Sequence, residues 1–334
     1  MVDIVEVSGL DPARDELFRA WAGVFEASDR AEFGDDHSSW TVEQLRELER
    51  ATDKRRYAWA AVDGDTVVGA VGLVLPLRDN RSMAAINLAV HPDHRGRGVG
   101  AALLARAEDQ SAAEGRSIFM AESQWREDGE DSAAAFATSH GYAAAQTVLR
   151  SSLALPADSA ALGELAAGGE PAAYTLRNVV GPLPDELLAA RAELSRRMST
   201  DIPLGDLVLE EEVWDEARVR EQYDRIEAMG RTAIDTYAVH AATGDVVGYT
   251  QVQVSRNEPR IAYQQDTLVM REHRGHALGL RMKAANTLAV MEVSPDSQVI
   301  RTWNADDNTH MLAVNRRVGY VTDAYLREWQ KDLR

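Results

Sequence analysis

Cysteine is absent from the 334 residues, which excludes disulfides, thiolate metal ligands and a cysteine nucleophile. Lysine is nearly absent: only Lys54, Lys283 and Lys331 stand among 36 basic residues, the rest being arginine. Positive charge is also outweighed, since 54 Asp and Glu leave a net charge of −18. A field of that sign repels phosphate backbones and anionic lipid, so no nucleic-acid and no membrane partner is expected. No stretch approaches the ~18 uninterrupted apolar residues of a membrane span. The opening Met1-Val2-Asp3-Ile4-Val5-Glu6-Val7 has neither a basic start nor a long apolar core. No secretory leader is expected there, and a cytoplasmic location is. No metal is expected either.

What is present is ordinary for a folded chain: 45% apolar and 27% charged residues, enough for sizeable cores. The length is about twice the ~150 residues of a typical domain, which predicts two. An internal repeat agrees. The segment Val90-His91-Pro92-Asp93-His94-Arg95-Gly96-Arg97-Gly98-Val99-Gly100 has a partner in Val269-Met270-Arg271-Glu272-His273-Arg274-Gly275-His276-Ala277-Leu278-Gly279. Gly64 and Gly244, Gly69 and Gly248, and Gly141-Tyr142 and Gly319-Tyr320 pair at nearly the same offset. A shared offset across four landmarks means two copies of one plan.

Each copy predicts the same elements. A strand opens it (2–7; 174–179), followed by two helices (15–27 and 42–50; 185–198 and 211–229). Thr41 and Gln44 offer the second helix of copy one a capping box. A hairpin comes next (57–62 and 66–75; 237–242 and 246–254), turning at Gly64 and Gly244. A strand then enters the glycine turn (83–90; 261–269), and a helix (99–114; 278–293) and a strand (117–122; 298–303) leave it. A last helix precedes each Gly-Tyr, and a closing strand follows. Residues 155–173, rich in Ala, Gly, Pro and Ser, read as a linker with at most one helical turn near Leu162. The expected domains are therefore 1–154 and 174–334.

The turn at Arg95-Gly96-Arg97-Gly98-Val99-Gly100 carries the chemistry. A strand-to-helix turn presents unpaired backbone N–H groups where the helix dipole favours an anion, so a phosphate is its natural guest. Glycine permits close approach, and Arg95 and Arg97 add cationic contacts. No Walker loop occurs, and Gly96, Gly98 and Gly100 are spaced wrongly for a dinucleotide fingerprint.

Strand order, the apolar strand 84–90, the basic turn and the late Gly-Tyr together resemble the GNAT superfamily of acyl-CoA-dependent N-acyltransferases. Its signature is Gln/Arg-x-x-Gly-x-Gly/Ala, matched here by Arg95, Gly98 and Gly100. The resemblance covers both halves and implies an α/β (α+β) fold of two tandem domains. Each would be a mixed, mostly antiparallel sheet flanked by helices, with a splayed strand pair for acyl-CoA. It implies acetyl-CoA as co-substrate. In copy one the pantetheine would pair with the backbone of Leu88, Ala89 and Val90, and the pyrophosphate would sit on Arg95, Gly96, Arg97, Gly98, Val99 and Gly100. The corresponding positions of copy two are Leu268, Val269, Arg274, Gly275 and Gly279, but Ala277 replaces the middle glycine. Asn308 sits where the family often has an Asn contacting pantetheine, with Asn304 nearby in Thr302-Trp303-Asn304-Ala305-Asp306-Asp307; copy one has Glu130 in the place of Asn308. With the 201–206 stretch, this half looks like that of two-domain actinobacterial GNAT proteins, a group that includes mycothiol synthase.

Amine acetylation needs a base for the amine proton and an acid for the leaving thiolate. A carboxylate often stands on the strand before the turn: Asp266 in copy two, where copy one has Asn87. Copy one would use Glu122, Asp93 or a water held near Asn87. The family's usual acid, a Tyr four residues before the late glycine, is replaced by Ala137 and Asn315. Tyr142 and Tyr320 read as packing residues, and His94 and His273 as solvated loop histidines. The expectation is an acetyltransferase acting on the primary amine of a small molecule, with copy one as the catalytic half, as a monomer or homodimer. A protein N-acetyltransferase and a non-enzymatic CoA-binding scaffold are the alternatives.

Overall fold

Strand-forming alternation and glycine turns deliver the predicted elements in both halves. In the first, β1 (Asp3–Val7), α1 (Asp15–Phe33), α2 (Val42–Glu49), β2 (Lys54–Asp63), β3 (Thr66–Pro76) and β4 (Met83–Val90) lead into α3 (Val99–Ala113), β5 (Ile118–Arg126) and α4 (Ala134–Ser139). Then come β6 (Ala143–Ala154) and α5 (Ser159–Ala167). The second half repeats the order: β7 (Tyr174–Val180), α6 (Asp185–Asp201), α7 (Glu216–Ala228), β8 (Arg231–His240), β9 (Val246–Ser255) and β10 (Ile261–Val269). It ends with α8 (Leu278–Val293), β11 (Val299–Ala305), α9 (Thr309–Val318) and β12 (Val321–Asp332). The computed structural model describes residues 2–170, 172–201 and 203–334; Met1, Pro171 and Ile202, the last within the 201–206 stretch singled out above, lie outside the described residues.

The chain divides into two compact units, and not at one linker. The N-terminal unit holds Met1–Thr147, Leu204–Glu210 and Tyr325–Arg334; the C-terminal unit holds Val148–Pro203 and Glu211–Ala324. β6 and β12 thus each begin in one unit and end in the other. Boundaries at 154 and 174 do not describe these units, because each closing strand leaves its own copy. Nor is 155–173 a bare linker. Asp158 caps α5 by accepting from the Ala160 and Ala161 N–H groups at 2.9 and 3.1 Å. Leu162 is buried beside Leu280 and Ala284 of α8. Small residues made this helix read as linker; two leucines on one face decide otherwise. The second helix of copy two is shorter than expected: 211–215 is not helical, and Asp215 caps α7 through the Arg218 N–H at 2.8 Å.

The strands of the N-terminal unit lie in the order β1-β2-β3-β4-β5-β12, and those of the C-terminal unit in the order β6-β11-β10-β9-β8-β7. β4–β5 and β10–β11 are parallel; the other pairings among β1 to β5 and among β6 to β11 are antiparallel. In the N-terminal unit, one face of the sheet buries Leu103, Leu104 and Ala107 of α3 with Phe119, Tyr142 and Trp329. On the other face Phe18 and Trp21 of α1 meet Ala58, Ala60, Ala70 and Ala89, whose small side chains let the helix approach. The predicted capping box of α2 forms, Thr41 and Gln44 exchanging side-chain to backbone hydrogen bonds of 3.2 Å each.

Trp329, near the end of the chain, belongs to the N-terminal core: it is 4% exposed, and its indole N–H donates to Ser123 Oγ at 2.8 Å. Trp329→Ala is expected to destabilise that unit by about 3–5 kcal/mol, the usual cost of emptying a buried aromatic site. Denaturant unfolding followed through N-terminal amide exchange measures it; exchange unchanged in β4 and β5 would refute the assignment.

Candidate active site

The first glycine turn has the geometry its sequence predicts. β4 ends at Val90, a single 3-10 turn (Pro92–His94) follows, and Gly98 caps α3 with φ +82° and ψ −1°. Gly96 is also left-handed, at φ +75°. A Cβ built on either glycine would meet nothing within 4 Å, so no protein atom demands glycine there. What remains is backbone conformation, plus open space over the unpaired N–H groups of the first turn of α3. The arginines beside that space bind neutral acceptors. Arg95 donates through Nε to Val90 O at 3.2 Å and through Nη2 to Ser28 Oγ at 2.9 Å. Arg97 donates to Asp93 O at 2.8 Å. Among the described residues neither is ion-paired, and an anion would find both charges uncompensated. These features suit a diphosphate.

The strand feeding this turn comes apart from its neighbour. The parallel β4–β5 ladder runs from Met83–Ile118 to Ile86–Ala121 and stops, while β4 stays paired to β3 as far as Val90. Asn87, Leu88, Ala89 and Val90 therefore turn an unpaired edge toward β5. Ile86, Leu88 and Val90 pack on the α3 face, whereas Ala89 packs under α1. Alternation puts Asn87 on the α1 face with Ala89, and the ladder's register puts Glu122 of β5 beside it. Both side chains are exposed by surface area. The Glu122 carboxyl is nonetheless hemmed in by protein, and lost solvation raises it above the ordinary carboxylate range. Asp93 takes no part in this row; it is exposed on the turn, 3.9 Å from His91 Nδ1. Tyr142 packs as expected, its hydroxyl donating to Glu108 at 2.9 Å.

The second turn repeats the backbone and changes the electrostatics. Arg274 Nε donates to Val269 O at 3.1 Å, Gly275 has φ +89°, and Ala277 caps α8 in the left-handed region at φ +56°. Asp201, at the end of α6, occupies the place that Ser28 has in the first copy. Its carboxylate accepts from Arg274 Nη2 at 2.7 Å and from Arg271 Nη2 at 2.6 Å, and its side chain is only 7% exposed. Glu170 lies 3.1 Å from His276 Nδ1. Sequence reasoning passed over Asp201 because its partners lie some seventy residues away. Gly279 lies in the first turn of α8, with the nearest atom to a built Cβ 4.0 Å away. The ladder from β10 to β11 ends even earlier, at Tyr263–Arg301, and β10 bulges between Gln264 and Thr267, leaving Leu268 and Val269 paired to β9.

Asp266 sits in that bulge, held by the Tyr249 hydroxyl at 3.0 Å. Around it the C-terminal unit is filled with packed polar groups. Arg191 lies 3.8 Å over the Tyr249 ring, and Gln251 donates to Asp235 at 2.9 Å and to Tyr223 at 3.1 Å. Burial pushes the Asp235 carboxyl up to about 6. The two asparagines expected at the cofactor are bonded within the unit. Asn308 caps α9 through the Met311 N–H at 3.2 Å, and Asn304 accepts from Asn315 Nδ2 at 2.7 Å.

Residues 17–142 match the acetyltransferase (GNAT) family model. A tandem GNAT protein from the clavulanic acid biosynthesis pathway, solved without acetyl-CoA, superposes with a TM-score of 0.81 at 29% identity, covering 100% of this chain and 99% of that one. The N-terminal part of the chain is thus similar to GNAT acetyltransferases, and the whole chain to a tandem GNAT protein. No curated protein matches the sequence of this chain. A GCN5-related N-acetyltransferase from Sphaerobacter thermophilus shares the fold at 16% identity and a TM-score of 0.71, covering 99% of this chain and 96% of its own. An acetyltransferase of Pyrococcus horikoshii, described as putative, does so at 10% and 0.57, covering 100% and 90%. No helix among the described residues is long and apolar enough to cross a membrane, and no group of three His, Cys, Asp or Glu among them is placed to hold a metal.

A left-handed alanine is strained by about 1 kcal/mol relative to glycine. Ala277→Gly is therefore expected to stabilise the C-terminal unit by about that much, and Gly98→Ala to destabilise the N-terminal unit similarly. Urea midpoints at unchanged slope measure both; a destabilising Ala277→Gly would contradict the left-handed cap.

Proposed function

We propose that the N-terminal unit binds acetyl-CoA and acetylates a primary amine on a small molecule, the C-terminal unit being a degenerate copy. The contrast between the two turns carries the reading. Ser28 leaves the cations of the first turn to an incoming anion, whereas the Asp201 carboxylate neutralises those of the second. A carboxylate fixed beside a would-be pyrophosphate opposes its binding. The small-molecule class is supported by the similar tandem protein from clavulanic acid biosynthesis, and by a net charge of −18, which favours approach of a cationic amine.

Acetyl-CoA, when bound, supplies an acetyl group activated as a thioester. The first-turn N–H groups of α3, with Arg95 and Arg97, hold its diphosphate, and the free edge of Leu88–Val90 takes its amide-bearing arm. An acceptor in the opening between β4 and β5 meets Asn87 and Glu122. The Glu122 carboxylate takes a proton from the acceptor nitrogen, and its lost solvation raises its affinity for that proton.

A thiol-release screen with acetyl-CoA against diverse small amines tests the activity; peptide substrates accepted in preference would overturn the small-molecule reading. Gly98→Glu sets bulk and negative charge in the cradle and is expected to weaken acetyl-CoA binding at least tenfold by calorimetry, with about one CoA bound per wild-type chain. Two equal sites would overturn the degeneracy. With an accepted amine, Glu122→Gln is expected to lower kcat by ~10²–10⁴, and Asp266→Asn by far less. The reverse order would move the chemistry to the C-terminal unit.

A further inference from the structure

We infer that Glu328, on the last strand of the chain, is a second carboxyl of the N-terminal active site and forms with Glu122 a pair that takes the proton of the acceptor ammonium. The inference rests on the N-terminal unit being the acetylating one.

Strand order carries it. β12 lies beside β5, and residues 325–334 belong to the N-terminal unit. Odd-numbered side chains of the two strands share a face: Trp329 bonds Ser123, Tyr325 stacks on Trp125 at 5.6 Å, and Arg327 lies over Trp125 at 5.3 Å and Trp329 at 5.8 Å. Trp329 fixes this as the α3 face. Alternation then sends Glu328 and Glu122 to the opposite face, where Asn87 also points. The three side chains make a row across β4, β5 and β12, beginning where the β4–β5 ladder ends. Glu328 is half-buried, and its Oε2 is buried with no hydrogen-bond partner among the described residues. A buried carboxylate oxygen without a donor is costly unless a proton or a ligand's N–H satisfies it.

The surroundings explain how the pair holds protons. Burial first, and the Glu122 charge second, push Glu328 up to about 7. Arg327 points to the other face and offers no compensation. Of the neighbouring acidic groups, Glu32 of α1 accepts from the Arg126 N–H at 3.4 Å, and Asp206 meets β12 through its backbone carbonyl, bonded to Gln330 at 3.4 Å. Two neighbouring carboxyls that repel each other favour the state with one proton between them, one acid and one carboxylate. The acceptor arrives as an ammonium and gives one N–H proton to that carboxylate. Its freed lone pair forms the C–N bond to the acyl carbon as the C–S bond breaks. The sulfur gains the second proton shed by nitrogen, and the pair later returns its extra proton to solvent.

The test uses the full chain labelled with carboxyl-¹³C glutamate and titrated by NMR. The wild type is expected to show one carboxyl titrating near pH 7, lost in Glu328→Gln, with Glu122 titrating lower once the like charge is gone. Glu122→Gln is expected to lower Glu328 in turn. No carboxyl titrating above pH 6, or Glu122 unmoved in Glu328→Gln, would overturn the pairing. With an amine from the screen, Glu328→Gln is expected to cost ~10²-fold in kcat at pH 7 and to shift the acid limb of the rate profile, with acetyl-CoA affinity within twofold of wild type. Wild-type turnover across pH would overturn the role in proton transfer. Loss of acetyl-CoA binding in Gly98→Glu but not in Glu328→Gln separates a failure of the cofactor site from a failure of the pair.

Discussion

A parallel ladder that stops after Ile86 and Ala121 determines what the N-terminal unit can do. β4 continues four residues further, held only by β3, so its far edge presents backbone donors and acceptors to whatever enters beside it. Unpaired backbone groups inside a protein are costly, and a wedge of them persists where a ligand completes the pairing. The same divergence exposes Asn87 and Glu122 just past the last rung. It also ends β4 at a turn whose left-handed glycines open the N-terminus of α3. Edge, polar row and open helix N-terminus follow from one interruption of one sheet.

Duplication makes the same device visible twice, and the differences between the copies are chemical more than conformational. Arg95 and Arg274 fold back on the carbonyl ending their strand through the same Nε bond, at 3.2 and 3.1 Å. Gly98 and Ala277 both cap in the left-handed region, so the same backbone conformation stands with and without glycine. What changed is the neighbour: a serine hydroxyl at the first turn, a nearly buried carboxylate at the second. The α6–α7 side of β8, β9 and β10 is meanwhile filled by Arg191, Tyr223, Tyr237, Tyr249 and Asp235. In that buried cluster Gln251 bridges Asp235 and Tyr223, and Arg191 lies over the Tyr249 ring.

Local signals were legible in the sequence, and non-local ones were not. Turn glycines, strand alternation and the Thr41–Gln44 capping box act over a few residues, and they located both hairpins, both strand-to-helix turns and most helices. The offset between copies gave the duplication. The closing strands escaped because nothing within 143–154 or 321–332 says which sheet edge they will join; that choice belongs to tertiary packing. Glu328 escaped with them, since it reads as one more charged residue in a strand of the second copy. Asp201 looked like part of a family-typical stretch, and only the fold brings it to Arg271 and Arg274. α5 was hidden by composition, its alanines and glycine resembling a linker until Leu162 found a core.

The last strand also shows how tightly register ties stability to chemistry. Along β12 successive residues serve opposite faces: Trp329 fills the core under α3, and Glu328 stands in the opening with Glu122. A slip of one residue would exchange them, burying a carboxylate in the core and exposing an indole. Contacts on the α3 side prevent it. Ser123 accepts from the Trp329 indole, and Lys331, two residues on, reaches Glu108 of α3 with bonds of 2.9 and 3.0 Å. Both anchors lie on odd positions, so both fix the even positions without touching them. The tryptophan and lysine that hold the strand down thereby aim Glu328 at the row of Asn87 and Glu122. A residue contributed from the end of the chain is then as well placed as one on β5 itself.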